Sequence, residues 1–452
     1  MRALSPVTLV AACWVATCAM AMMALNMPET FDLLPVLMHR EALTAKAFAP
    51  IGMAWIALAA LIFVIGDFAC KTALPSPRPF AAGLALNRAA RLVFWVNLTL
   101  LGITVIWVLL TARQVGGLTQ LAIIAMLDTL TARDLLLDNK LFTGMRLFYA
   151  SLPATGCLAA AILTAGRNRL SQRARYMCIA VLAMNAAALA ILPIVMSQRL
   201  LLLQFLLSAY LVSCLIRGRV FGLPWIAVGA ALFLSVWIMR ESLTNPLLHR
   251  SGVDVGLQKL AFYFVNDLWN SFAPLQSETP PSLGAVSLRG MMFLTFTDGM
   301  FDRLLASRLA ALEEIRGGGE FSLFTAPYVD FGPFGATVFL ILAGFTFRLI
   351  FHKGQQSLIW AAIYAQTGAA LLFSSHGLYV THQNFLFSLM LMAGLARFVR
   401  IKALPPQRSD PVTVARQPPT ARAAPVYPAV TRVKRFKPKA AALPPTTEVE
   451  HA

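Results

Sequence analysis

Residues 317–351 read GGGEFSLFTAPYVDFGPFGATVFLILAGFTFRLIF. This stretch joins the longest hydrophilic part of the chain to a strongly apolar run at 333–351. Asp330 lies at the junction, in an aromatic and glycine-rich setting. The pattern indicates a chain that re-enters a membrane here, with a carboxylate at the point of re-entry.

Composition extends this interpretation to the whole chain. Of its 452 residues 58% are hydrophobic and only 13% are charged, whereas soluble proteins have about 45–50% apolar and about 25% charged residues. The apolar residues form continuous runs long enough for helices that cross a bilayer core of about 30 Å. A helix satisfies its backbone hydrogen bonds within one segment. We therefore predict an all-α polytopic membrane protein.

Ten apolar runs indicate about ten transmembrane helices. Spans 1–7 fall within residues 1–239 and spans 8–10 within 333–399; the runs are 7–27, 49–68, 92–112, 147–165, 176–196, 200–216, 221–239, 333–351, 357–375 and 383–399. With both termini cytoplasmic, every cluster of Lys and Arg in a short loop or the tail lies on one side, as the positive-inside rule requires.

The formal net charge of +18 comes largely from those loops and the tail. We therefore expect membrane lipids, and no nucleic acid, as partners. The six cysteines lie inside apolar runs or at their edges, which indicates neither a disulfide framework nor a metal site. We predict no metal and no cofactor.

Residues 240–332 form the long hydrophilic segment, which we predict to be an external cap loop. It holds seven Lys or Arg and ten Asp or Glu, half of the chain's acidic residues. Two segments have helical period, with apolar stripes at Leu257, Leu260, Ala261, Phe264, Leu268 and Phe272 and at Phe301, Leu304, Leu305, Leu309, Leu312 and Ile315. Both are too polar to span, so we expect them to lie on the outer membrane surface or over the spans.

The tail at 400–452 is basic and rich in proline. Such a composition cannot bury a core, so we predict a disordered cytoplasmic tail.

Four arginines near the predicted external face are candidates for binding a diphosphate. Arg199 lies between two apolar runs, and Arg240, Arg250 and Arg289 lie in the cap loop. A guanidinium binds phosphate oxygens in pairs and stays charged at any relevant pH. The alternative for each is an ordinary surface or interfacial charge.

Three further residues are candidates for acid/base chemistry. Asp330 is either a general base or the structural partner of an arginine. His376 and His382 lie in the turn SHGLYVTHQN at 375–384, where a histidine serves either in proton transfer or as a hydrogen-bonded structural group. Signatures of nucleotide hydrolysis, zinc proteolysis and serine hydrolysis do not occur in the sequence.

The chain resembles the bacterial oligosaccharide repeat-unit polymerases, the Wzy-type O-antigen polymerase family, in three features. These are its many spans, its large external loop late in the chain, and its run FTAPYVDFGPFGATVFLILAGF. The residues that carry the resemblance are Tyr328, Asp330, Phe331, Gly332 and Gly335. Members also tend to carry a Ser-Arg pair at the outer end of a mid-chain span, which Ser197 and Arg199 match only loosely, because Gln198 intervenes.

The resemblance implies a membrane glycosyltransferase at the outer face of the bacterial inner membrane. It would move a glycan from undecaprenyl diphosphate onto a hydroxyl of the next lipid-linked repeat unit, building an O-antigen, capsule or exopolysaccharide. Asp330 or a histidine would be the base, and the arginines would stabilise the diphosphate. A flippase and a chain-length regulator are the implied partners. Three alternatives remain open: a lipid-linked glycan ligase, a polysaccharide transporter or flippase, and a membrane assembly protein without catalysis.

Overall fold

The computed structural model describes residues 2–41, 43, 48, 50–77, 80–82, 85–127, 129–140, 142, 144–196, 200–244, 250–276, 280–316 and 319–399. Within these residues the chain is helical, with no strand and one isolated bridge between Ala81 and Ser357. The α-helices are α1 (Pro6–Asn26), α2 (Leu34–Arg40), α3 (Pro50–Ala73), α4 (Leu86–Gln114), α5 (Leu118–Leu127), α6 (Thr129–Asp138), α7 (Met145–Ala150), α8 (Leu152–Ala165), α9 (Gln172–Met196), α10 (Leu200–Arg217), α11 (Leu223–Thr244), α12 (Gly252–Phe272), α13 (Arg289–Leu294), α14 (Asp298–Leu304), α15 (Ala306–Ile315), α16 (Ala326–Gly354), α17 (Leu358–Leu371) and α18 (Gln383–Val399). The predicted tail at 400–452 lies outside the described residues.

Seven helical segments in the described part of the chain are long and apolar enough to cross a membrane. They are α1, α3, α4, α7 with α8, α9, α10 and α16. The other three predicted spans correspond to shorter apolar helices, namely Pro224–Met239 of α11, α17 and α18. The prediction of an all-α, membrane-embedded chain is therefore confirmed, while the number of ten spans stays a prediction.

The helices α3 and α16 form a close parallel pair. Trp55 packs against Tyr328 with ring centroids 4.9 Å apart, and farther along both helices Phe63 packs against Phe347 at 6.2 Å. A side chain at Gly344 would collide with the carbonyl oxygen of Phe63, so glycine permits this approach. Because the contacts advance together along both helices, α3 and α16 cross the bundle in the same direction.

The helices α1 and α17 also run in the same direction, but α17 is shorter. The hydroxyl of Tyr364 donates to the carbonyl oxygen of Leu4, and the hydroxyls of Thr17 and Ser375 are 2.7 Å apart. From Thr17, α1 continues for nine residues to Asn26, which is about 14 Å of helix. We call the end of the bundle at which α1 ends the distal end; the turn after α17 is recessed from it.

The helix α12 descends from the distal end into this recess. Near its start, Gln258 accepts a hydrogen bond from the backbone N–H of Leu33 (2.7 Å), just beyond α1. At its end, the carbonyl oxygen of Ser271 accepts from the hydroxyl of Thr325 (2.9 Å), which lies beside Phe324, stacked on Trp14 in α1. The helix therefore runs antiparallel to α1.

This course corrects the expected surface position of α12. Every residue from Val265 to Phe272 is buried, so the second half of the helix has no face on the surface. Leu257, assigned to the predicted apolar stripe, is instead exposed. The neighbouring helices α1 and α11 cover sides that an isolated amphipathic helix would leave to water.

The second predicted amphipathic helix is broken in two. Its residues lie in α14 and α15, which meet at Leu305, and Leu304 of the predicted stripe is 70% exposed. Leu305 and Leu312 are the buried members of that stripe.

The segment α16 consists of two helices joined at a kink at Gly332: a short one from Ala326, and a longer one that starts where the predicted span at 333–351 starts. Gly332 has φ 66° and ψ −173°, a conformation that glycine adopts readily. Pro333 lacks the N–H that would bond the carbonyl oxygen of Val329, four residues earlier. The N–H of Ser282 bonds that oxygen instead (3.1 Å), and the N–H of Leu283 bonds the carbonyl oxygen of Asp330 (3.0 Å). A turn of the cap loop thus completes the bend.

Candidate functional site

A histidine–carboxylate pair lies in the recess. The Nδ1 atom of His376 is 2.6 Å from Oδ1 of Asp267. Asp267 comes from the fully buried half of α12. His376 comes from the turn after α17, where its backbone N–H donates to the carbonyl oxygen of Phe373. Desolvation lowers the pKa of the imidazole, but the charge and hydrogen bond of Asp267, with Glu320 nearby, outweigh it and raise the pKa above its usual value. The pair leaves Nε2 of His376 for other partners.

A second pair, His382 and Glu320, lies beside the first. Nε2 of His382 is 3.4 Å from Oε1 of Glu320, and the glutamate is partly exposed. Desolvation favours the neutral carboxyl, but the hydrogen bond and charge of His382, with His376 and Arg316, hold the pKa of Glu320 below its ordinary value. Glu320 is therefore an anion at neutral pH.

Tyr379 joins the two pairs. Its ring centroid lies 6.0 Å from that of His376, nearly parallel to it, and 6.0 Å from that of His382. Burial, with the charges of Glu320 and Asp267, raises the pKa of its phenol well above the usual value, so it stays neutral. A Cβ atom at Gly377 would lie 3.1 Å from both Tyr379 and Glu320, so the glycine is in close contact with both side chains.

Asp330 is buried at the bend of α16 and holds the cap-loop turn at 282–288. Its Oδ1 atom accepts from the hydroxyl of Ser282 and from the N–H of Val286 (3.1 Å), and its Oδ2 atom accepts from the N–H of Ser287 (2.5 Å). These are contacts of a structural brace. The turn leads into α13, where Gly290 lies directly against residues 381–383, so Asp330 supports the segment that holds His382. Its catalytic role stays a prediction that these contacts do not test.

Of the four predicted diphosphate-binding arginines, the structure describes the side chains of Arg250 and Arg289, and each bonds a carboxylate of this chain. Arg250 bonds both carboxylate oxygens of Asp32 (2.8 and 2.6 Å), and this bidentate pair lowers the pKa of that carboxyl. Arg289 is 58% exposed and lies 3.3 Å from Asp302. Arg199 and the side chain of Arg240 lie outside the described part of the structure.

Sequence reasoning missed four members of this site. Asp267 and Glu320 provide its carboxylates, Tyr379 connects the histidines, and Arg146 of α7 is close enough to Glu320 to interact with its charge. One signal was present in the sequence: Asp267 is the single charged residue within VNDLWNSF at 265–272.

The arrangement is suited to proton transfer. An imidazole whose Nδ1 bonds a carboxylate is fixed in orientation, and its Nε2 can accept or return a proton. Among the described residues, no group of three His, Cys, Asp or Glu side chains is placed to hold a metal ion. Comparisons of the chain with protein-family models, with curated proteins and with solved structures found no match.

Proposed function

We propose that the protein is a membrane glycosyltransferase that polymerises lipid-diphosphate-linked oligosaccharide repeat units at the distal end of its helix bundle. The observation that carries this proposal is the His376–Asp267 pair, recessed between α1, α12 and the turn after α17. A base at this depth meets a substrate whose lipid lies in the bilayer and whose sugars lie outside it.

The reaction requires one proton transfer and one bond exchange. Nε2 of His376 removes the proton from the acceptor hydroxyl, whose oxygen attacks the anomeric carbon of the donor. The bond from that carbon to the diphosphate oxygen breaks, and its electron pair leaves with the lipid diphosphate. Asp267 orients the imidazole and stabilises the imidazolium that forms.

The departing diphosphate needs cationic partners. Arg250 and Arg289 each bond a carboxylate of this chain. We retain Arg199, which directly precedes α10 in the sequence, and add Arg146 of α7, whose charge interacts weakly with that of Glu320. His382 lies on the same side of the recess and supplies a further donor.

This proposal sets the protein in the inner membrane of a bacterium, with its distal end outward. Its substrate is an oligosaccharide on undecaprenyl diphosphate, and a flippase and a chain-length regulator are its expected partners. Two alternatives use the same face of the protein, namely ligation of a finished glycan to another acceptor and transport of the lipid-linked glycan.

Deletion of the gene distinguishes these functions. Loss of a polymerase leaves single repeat units on lipid carrier or lipopolysaccharide, whereas loss of a ligase leaves long chains on undecaprenyl diphosphate. Loss of a flippase leaves single units on the cytoplasmic side. We expect the first result, read from the glycan length ladder and from access of an impermeant lectin in spheroplasts.

His376→Gln tests the site in the complemented deletion strain. Because a positioned general base contributes about 10²- to 10⁴-fold, we expect long chains to disappear while the protein remains at its normal level. The matched control is His39→Gln, which changes an exposed histidine at the same end of the bundle. Normal chain length in the His376 variant would overturn the site assignment, and the deletion phenotype would still test the function.

A further inference from the structure

The cap loop carries large apolar side chains on its surface between residues 283 and 304. Phe296 is 84% exposed, and Leu283, Met291, Met300 and Leu304 are also exposed. No charged residue occurs from Gly290 to Thr297. The charges that flank this stretch are Arg289 and Asp298, and Arg289 pairs with Asp302 at 3.3 Å. Contact of these apolar side chains with water is unfavourable.

Two of these residues have an unfavourable backbone conformation. Leu283 has φ 53° and Phe296 has φ 59°, and among the described residues they are the non-glycine positions with positive φ. Such a conformation is strained for a bulky residue. A large apolar side chain that is held outward in a strained conformation indicates surroundings that stabilise it there.

The length of α18 indicates how deep the segment lies. Its helix α13 rests on residues 381–383, at the start of α18. Since α18 has 17 residues, this contact is about 25 Å from the far end of α18, whereas the hydrocarbon core is about 30 Å thick. The helix α4 starts beside the far end of α18, where the N–H of Ala85 bonds the carbonyl oxygen of Val399, and its 29 residues reach beyond that level.

The apolar surface is also continuous with the lipid-facing side of a span. The backbone N–H of Leu283 donates to the carbonyl oxygen of Asp330 in α16. Beyond this point, α16 exposes Phe334, Val338 and Leu342 in succession along one side. We propose that residues 283–297 insert into the distal leaflet of the membrane, with Leu283, Met291 and Phe296 among lipid acyl chains. The cap loop is thereby anchored in the bilayer beside the recess. This proposal does not depend on the reaction that the protein catalyses.

Spin labelling of the full chain tests the insertion. Of the six free cysteines, Cys18 is the one that is not buried, so Cys18→Ala provides the background for labelling Phe296→Cys. The protein is reconstituted in vesicles of phosphatidylethanolamine and phosphatidylglycerol. Power saturation then compares collisions with oxygen, which concentrates in lipid, and with a water-soluble nickel chelate. A label on Ser307→Cys, exposed on α15, is the matched control.

We expect the label at residue 296 to collide mainly with oxygen and the label at residue 307 mainly with the nickel chelate. Met291→Cys gives the same readout if the first variant does not fold. Equal nickel accessibility at residues 296 and 307 would overturn the proposal. Dipolar broadening at residue 296 that disappears on dilution with unlabelled protein would also overturn it, because a second copy of the chain would then cover the surface.

Discussion

Asp267 acts on the proposed chemistry through the protonation of His376. The carboxylate raises the pKa of the imidazole against the opposing effect of desolvation. A general base works in its neutral form, so the rate should fall as the pH drops through this raised pKa, above the ordinary value of 6.5. In Asp267→Asn the desolvation remains and the charge is lost, which lowers the pKa of His376.

We therefore expect Asp267→Asn to move the acid limb of the pH–rate profile to lower pH and to reduce the maximal rate roughly 10²-fold. The measurement is the formation of glycan polymer by the purified protein in nanodiscs across a pH series. A reduced rate with an unmoved acid limb would mean that Asp267 has only a structural role.

Asp330 connects α16 to the cap loop, and its replacement should affect folding. Asp330→Ala leaves the N–H groups of Val286 and Ser287 without their acceptor, at about 1–3 kcal/mol for each buried donor left unpaired. We expect a lower melting temperature and a lower protein level together with lost activity. Asp134→Ala, an exposed carboxylate on α6, is the control. Lost activity in Asp330→Ala with an unchanged melting temperature would support the catalytic role.

At the scale of elements, apolar runs predicted the helices well but not their surroundings. The predicted runs at 7–27, 200–216 and 383–399 agree closely with α1, α10 and α18. The helical period of α12 was also recognised, yet its position was wrong. Periodicity reports which side of a helix is apolar, and it does not reveal that α1 and α11 enclose the helix on further sides.

The bend of α16 shows a second limit of the sequence. Gly332 and Pro333 indicated a turn, and we placed the start of the span at Pro333. The structure does break the helix at Gly332, but it adds a short helix from Ala326 before the break, whose carbonyl oxygens at Val329 and Asp330 accept hydrogen bonds from Ser282 and Leu283. These donors lie about fifty residues earlier in the chain, so local sequence cannot show how this short helix is held.

The candidate site, too, could be predicted only in part from the sequence. His376 and His382 belong to one short turn and were identified from it. Their carboxylate partners are Asp267, 109 residues from His376, and Glu320 in the stretch that precedes α16. Neither pairing follows from spacing, because each depends on how far α12 and residues 319–325 descend into the recess.

At the scale of the molecule, the parallel packing of α3 with α16 constrains the topology. Two helices that cross a membrane in the same direction are separated by an odd number of crossings. Between α3 and α16 lie four segments that are long and apolar enough to cross a membrane, namely α4, α7 with α8, α9 and α10. One more crossing is required, and the apolar part of α11, Pro224–Met239, is the continuous apolar helix that remains between α10 and the cap loop.

Cysteine labelling tests that count in intact cells. If α11 crosses, the connection before it and the cap loop after it lie on opposite sides of the membrane. We expect an impermeant maleimide to label Ser307→Cys from outside and to label Arg219→Cys, which follows α10, only after the membrane is permeabilised. His39→Cys, beyond α1 at the distal end, serves as a positive control. If Ser307→Cys and Arg219→Cys were labelled from the same side, α11 would not span, and α3 and α16 could not both be membrane crossings in the direction that their contacts require.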